Sequence, residues 1–164
     1  MQRQLLFIFI WLFVSTSNAQ EMQEGFTYLE TGKYTEAQSF FENVLKTYPE
    51  HRTARLCYGR AVGLSGDAPK AVVVFTELKD KFPNDFEIKL NYAESLLWNN
   101  QFSLAESFYI KLVEEDETSF PAVLGYANTL SNRKNYKKAL HQVNKALQLK
   151  EGNPNALTLS LIHI

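Results

Sequence analysis

Apolar residues recur along this chain at spacings of three and four, and the pattern they draw repeats every 34 residues. Ala37, Phe41, Val44 and Leu45 fall on one stripe of a helix. Moving that stripe forward by 34 residues lands on Ala71, Phe75 and Leu78, then on Ala105, Tyr109 and Leu112, then on Ala139, Val143 and Ala146. The same offset relates Tyr34, Ala68, Phe102 and Tyr136; Gly25, Gly59, Ala93 and Ala127; and Tyr28, Val62, Leu96 and Leu130. Six columns sharing one ungapped period predict an array of like units. The small residues let paired helices approach closely, and the large ones fill the space between neighbouring pairs. No segment alternates with a strand's period of two over a useful length.

The breaks between stripes agree with helix pairs. Gly32-Lys33, Gly66-Asp67 and Asn99-Asn100 separate a first helix from a second. Thr35-x-x-Gln38 and Ser103-x-x-Glu106 read as capping boxes that start second helices, and Asp67 with Pro69 reads as a cap and an early-turn proline. Pro49 and Pro83 stop second helices, while Glu117 and Glu151 stand at the next two such positions. The expected pairs span about 20–31 and 35–47, 52–65 and 68–81, 86–99 and 102–115, and 119–132 and 136–149, with a fifth unit starting at Pro154.

These residues resemble the tetratricopeptide repeat (TPR) family. Gly25, Tyr34, Ala37, Phe41 and Pro49 match its order of small residue, aromatic, alanine, aromatic and proline. Gly59, Ala68, Ala71, Phe75 and Pro83 match with Ala68 as the departure; Ala93, Phe102, Ala105 and Tyr109, then Ala127, Tyr136 and Ala139, continue the series. The family's tryptophan early in the first helix is missing, with Arg55, Lys89 and Val123 in its place. The resemblance covers about residues 20–158. It implies an all-α fold, a right-handed TPR α-solenoid of about four helix-turn-helix repeats at 20–51, 52–85, 86–119 and 120–153, with a truncated fifth at 154–164.

The resemblance also implies a scaffold that binds a protein or peptide in a concave groove lined by the first helices. Carried over position by position, the groove residues are Leu56, Arg60 and Leu64; Leu90, Glu94, Leu97 and Trp98; and Leu124, Asn128 and Asn132. Met22, Phe26 and Leu29 extend the row. Leu56, Leu90 and Leu124 recur at one position, which suits shared packing as well as binding. Trp98 has no counterpart, since Leu64 and Asn132 occupy its place, so it is the strongest single contact candidate. The carboxylate clamp of some TPR proteins resembles Lys, Asn and Arg at three first-helix positions. Those positions hold Met22, Gln23 and Phe26; Leu56, Cys57 and Arg60; and Leu90, Asn91 and Glu94. Only Arg60 and Asn91 suit it, and Glu94 repels a carboxylate, so no clamp is expected.

Composition narrows this picture. Hydrophobic residues at 45% and charged residues at 21% can bury a core, and a formal net charge of -1 gives no electrostatic reason for a nucleic-acid partner. The first twenty residues stand apart. Arg3 precedes an apolar run of ten, Leu5 to Val14, too short for a membrane span of about 20 residues. Ser17-x-Ala19 follows, so residues 1–19 read as a secretory signal peptide cleaved after Ala19 to leave Gln20, with no lipid-anchoring cysteine behind it. The expected location is the periplasm or cell envelope of a bacterium, with no transmembrane segment in the mature chain. Cys57 is the only cysteine, which rules out an intramolecular disulfide, and it reads as a small helix residue.

No catalytic, cofactor or metal constellation emerges, so no enzyme is expected. Gly59 to Gly66 matches no phosphate-loop spacing. His51 and His141 lack a carboxylate or cysteine at ligand spacing, and Glu114-Glu115-Asp116-Glu117 reads as a solvated loop. The chain ends in Leu159-Ser-Leu-Ile-His-Ile164, apolar where a solenoid's closing helix is polar. The codons CTG TCT CTT ATA CAC ATC, from a transposon end used in preparing sequencing libraries, also translate to LSLIHI. Residues 159–164 are therefore expected to be read-through and the natural protein longer. The alternative function is then the N-terminal TPR module of a larger envelope protein, an outer-membrane exporter or a secreted enzyme, linked to outer-membrane assembly or export.

Overall fold

The structure is a computed structural model that describes residues 22–162, with side chains as far as Ser160. The signal-peptide reading of residues 1–19 and the cleavage leaving Gln20 lie outside the described residues, as do His163 and Ile164. Among the described residues every regular element is a helix. They are α1 (22–30), α2 (Tyr34–Thr47), α3 (Arg52–Leu64), α4 (Ala68–Lys81), α5 (Phe86–Trp98), α6 (Phe102–Glu115), α7 (Phe120–Asn132), α8 (Tyr136–Leu149) and α9 (Pro154–Ile162). From α2 to α8, helix ends fall within one residue of the expected ones.

The chain divides into two compact units, the first ending at Gly66 and the second beginning at Asp67. In the first, α2 packs on α3, and the Phe40 and Phe41 rings meet edge to face at 5.3 Å with Phe26 set against Phe41 at 6.2 Å. In the second, each helix packs on the next, and α7 also adjoins both α5 and α9 directly. Close approach is what the small residues permit: Ala37, Ala71, Ala105 and Ala139 are all 0% exposed, as are Ala93 and Ala127. Phe41, Phe75, Tyr109 and Val143 are buried one turn further on. The column of Tyr34, Ala68, Phe102 and Tyr136 behaves differently. It sits at the first residue of each second helix, where the stripe turns toward solvent, and Tyr136 is 47% exposed.

The turns overturn one expectation. Thr35 and Ser103 do not cap, because α2 and α6 begin before them, with Lys33 and Gln101 as N-caps that make no side-chain cap bond. The reason is how tightly the chain turns. Gly32 (φ 75°), Asn100 (φ 58°) and Lys134 (φ 61°) adopt left-handed backbone. The next residue's N–H then donates back to the carbonyl five residues earlier: Lys33 to Tyr28 at 2.8 Å, and Gln101 to Leu96 and Asn135 to Leu130 at 2.9 Å. Those same residues accept, at 2.9 Å, the N–H groups of Ala37, Ala105 and Ala139. One residue ends a helix and starts the next, which leaves no place for a separate Ser or Thr cap. Glu106 serves instead as the partner of Arg133, tying α6 to the end of α7. Gln38 Oε1 lies 3.4 Å from Ser65 Oγ at the equivalent register of the first unit.

Other signals act as read. Asp67 caps α4, accepting from the Lys70 N–H at 3.2 Å, with Pro69 in the first turn. Pro49 and Pro83 follow the ends of α2 and α4, yet α6 and α8 stop in the same register without a proline. After α6, Asp116 Oδ1 accepts from the Thr118 hydroxyl at 2.7 Å and its N–H at 2.9 Å, bonds that hold the Asp116 carboxyl below its ordinary pKa range.

Left-handed backbone costs a residue with a β-carbon about 1 kcal/mol, and Lys134 adopts it at an exposed turn. Lys134→Gly is expected to raise stability by about 0.5–1 kcal/mol, read as a higher urea midpoint. Asn135→Gly, at φ -89°, is the control and should give no gain.

Candidate functional site

Two helices of the second unit each carry a buried stripe and an open one. α5 buries Ile88, Tyr92, Ala93, Ser95 and Leu96, leaving Leu90, Glu94, Leu97 and Trp98 half-buried on the adjoining face. α7 buries Ala122, Val123, Ala127, Thr129 and Leu130, leaving Leu124, Asn128 and Asn132 at spacings of four. Because α5 and α7 adjoin, the open stripes face one cleft of about 680 Å³, which Asn155, Thr158 and Leu159 of α9 also line. All seven groove candidates from the third and fourth repeats are in it. Leu124 does two jobs, lining the cleft while packing against the buried cluster of Val123, Ala146 and Ala156.

The candidates on α3 belong to the first unit. Arg60 and Leu64 are exposed there, but the expectation of a groove contact at Leu56 does not hold: at 3% exposure it is core and offers a partner no surface. Met22 is likewise buried, and Phe26 turns onto Phe41. Asn91, one of the two clamp-compatible residues, is 7% exposed, and its Nδ2 donates to the Glu87 carbonyl at 2.8 Å. It serves its own helix. His51 likewise has a structural task, its Nδ1 accepting the Ala54 N–H at 3.2 Å to cap α3.

Sequence reasoning missed the floor of the cleft. Tyr109 of α6 is 2% exposed and reads as core filler, yet it lines the cleft. It gets there because Gly125 stands opposite on α7: a β-carbon at Gly125 would lie 2.4 Å from ring carbons of Tyr109 and 2.5 Å from its hydroxyl. Burial, and then the charge of Glu94, push the phenol well above its ordinary pKa, so it remains a neutral O–H donor. That hydroxyl makes no hydrogen bond among the described residues. The available signal was a break in the period, since Gly125 stands where Gln23, Cys57 and Asn91 stand in the other repeats.

The polar part of the lining is made of amides. Asn100, Asn128, Asn132 and Asn155 contribute, and Glu94 is the one charged side chain among the described lining residues. Asn132 Nδ2 donates to the Asn128 carbonyl at 2.9 Å and to Asn128 Oδ1 at 3.1 Å. This pairing orders both side chains and leaves Asn128 Nδ2 and Asn132 Oδ1 as a donor and an acceptor unused within the described chain. Among the described residues, no three His, Cys, Asp or Glu side chains gather as a metal-binding group, and no helix is long and apolar enough to cross a membrane.

The model of the tetratricopeptide repeat family matches residues 22–51. No curated protein sequence matches the chain. Solved structures do. A thermophilic TPR protein of Thermus thermophilus is 18% identical, with 87% of this chain and 78% of that one covered, at a TM-score of 0.77. MamA 41-end from Desulfovibrio magneticus RS-1 is 18% identical, with 88% and 82% covered, at 0.70. The second TPR domain of the human RPAP3 protein, in complex with the HSP70 peptide SGPTIEEVD, is 17% identical, with 63% and 87% covered, at 0.57. At these identities the likeness is one of fold, and that fold is the all-α TPR solenoid.

Gly125→Ala is expected to cost about 1–3 kcal/mol, because Tyr109 is enclosed too tightly to yield without loss of packing. Tyr109→Phe removes only the unpartnered hydroxyl and should stay within about 0.5 kcal/mol of the wild type. Urea unfolding of both variants checks the pair.

Proposed function

We propose that this TPR-fold chain is an exported scaffold that binds a protein or peptide partner in the cleft between the open stripes of α5 and α7. One observation carries the reading: the residues that the helix packing leaves over converge on one cleft, with Trp98 in its lining. A tryptophan only half buried, among leucines and amides, has the composition of a recognition hot spot. A cleft of about 680 Å³ suits side chains of a bound segment better than a flat surface does. That a peptide accompanies the human RPAP3 domain supports a peptide as the class of partner. No Lys or Arg stands among the described lining residues, which speaks against nucleic acid.

Replacing Trp98 by photoreactive benzoylphenylalanine is expected to yield a discrete adduct with a partner in native extracts after irradiation. The same group at the exposed Lys138 on α8 is the control. Equal labelling from both positions, or none from Trp98, would remove the cleft from the function.

Export rests on Arg3, the apolar run from Leu5 to Val14, and Ser17-x-Ala19. It places the scaffold in the periplasm or cell envelope. Intact-mass analysis of the protein expressed in a bacterium should find a chain beginning at Gln20; retention of Met1 would sink the export reading.

A further inference from the structure

We infer that the exposed face of α8, with the turn before it, is a docking ridge for an anionic lipid surface, held there by Lys134, Lys137 and Lys138. The cleft is not involved, since none of its described lining residues belongs to α8.

Charge is distributed unevenly along the chain. Between Glu117 and Glu151 stand six Lys or Arg residues and no Asp or Glu, in a protein whose formal net charge is -1. Three of the six are already engaged. Arg133 pairs with Glu106, Lys145 lies 3.7 Å from Glu117, and Lys150 sits over the Phe120 ring at 5.7 Å. Lys134, Lys137 and Lys138 are exposed and have no ionic partner among the described residues. They crowd the start of α8, where the helix dipole is itself positive and no acidic residue offsets them. Cations at that end of a helix oppose the dipole and one another, so folding gains nothing from them there.

Side-chain type decides the partner. The lysines share the ridge with Tyr136, 47% exposed, and Leu140, 37% exposed. Apolar groups set among lysines suit a bilayer interface, where they sink below the headgroups while each ammonium stays at the level of the phosphates. A carboxylate-bearing polypeptide is matched better by the planar fork of an arginine, and the one arginine here is already bound to Glu106. Because α8 buries Ala139, Val143 and Ala146 against its own fold, the helix is not free to turn over and insert. Docking is then peripheral, reversible and sensitive to salt.

The protein recovered after export, free of the apolar run Leu5 to Val14 that would itself enter a bilayer, should be sedimented with lipid vesicles. Binding is expected to vesicles of equal parts phosphatidylglycerol and phosphatidylcholine and not to phosphatidylcholine alone. It should fade as sodium chloride is added. Lys134→Gln, Lys137→Gln and Lys138→Gln combined should weaken binding about a hundredfold, at about fivefold for each lysine. Lys33→Gln, Lys46→Gln and Lys111→Gln combined change the net charge equally at exposed positions elsewhere, and should stay within about twofold of wild type. Leu140→Ala should lower binding about threefold. Equal loss from the two triple variants would reduce the effect to total charge, and equal binding to neutral vesicles would leave the lysines no part in it; either result overturns the ridge. If vesicles are not bound but poly-glutamate is, and the α8 triple variant releases it, the lipid reading falls and the partner is an acidic polypeptide. Absence of both interactions ends the proposal. Circular dichroism of each variant separates lost contacts from lost folding.

Discussion

How closely the paired helices approach one another is the constraint on which the rest of this structure depends. Ala37, Ala71, Ala105 and Ala139 have no exposed surface, and Ala93 and Ala127 match them on the first helices. Methyl groups at these points let helix backbones come together, so rings such as Phe41, Phe75 and Tyr109 fill the remaining space without competition. A larger side chain at an alanine position forces strain of about 1–3 kcal/mol at each contact it touches. In a solenoid each unit is held only by its neighbours, so such strain is not diluted over a large core. The cleft follows from the same constraint, because α7 meets α5 and α9 directly and their leftover faces share one space.

Close approach also sets the turns. A pair joined by so short a connection must reverse at once, and left-handed backbone at Gly32, Asn100 and Lys134 is how the chain does it. This explains why the helix map was legible to within a residue while the capping chemistry was not. Period and breaker residues report where a helix stops, and Gly32, Gly66 and Asn100 did so. The capping-box pattern reports only that a Ser or Thr is followed by an acid or amide. Here that acid, Glu106, lies on the helix surface beside Arg133, a partner 27 positions away that no local pattern reveals. The absence of proline after α6 was equally silent, since Asp116 and Thr118 form the turn by side-chain bonds.

Legibility of the site divides along the same line. Residues set by helical period were found: Leu90, Glu94, Leu97, Trp98, Leu124, Asn128 and Asn132 do line one cleft. Period says which face a residue is on, and it cannot say how deep that face sits, which is why Leu56, in register with Leu90 and Leu124, is core. Tyr109 shows the converse. Its position in the buried aromatic column hid an edge that reaches the cleft, visible only once Gly125 is placed opposite it.

A repeat protein divides its labour between residues that obey the period and residues that break it. Obedient positions make the same contact in every unit, so they supply stability and cannot distinguish one point along the array from another. Discrimination must come from the breaks. In this chain three of them line one cleft: Trp98 stands in register with Leu64 and Asn132, Gly125 with Asn91, and Glu94 with Phe26, Arg60 and Asn128. Their meeting in one cleft of the second unit follows from the way α7 adjoins α5, while the alanine columns hold those helices in place.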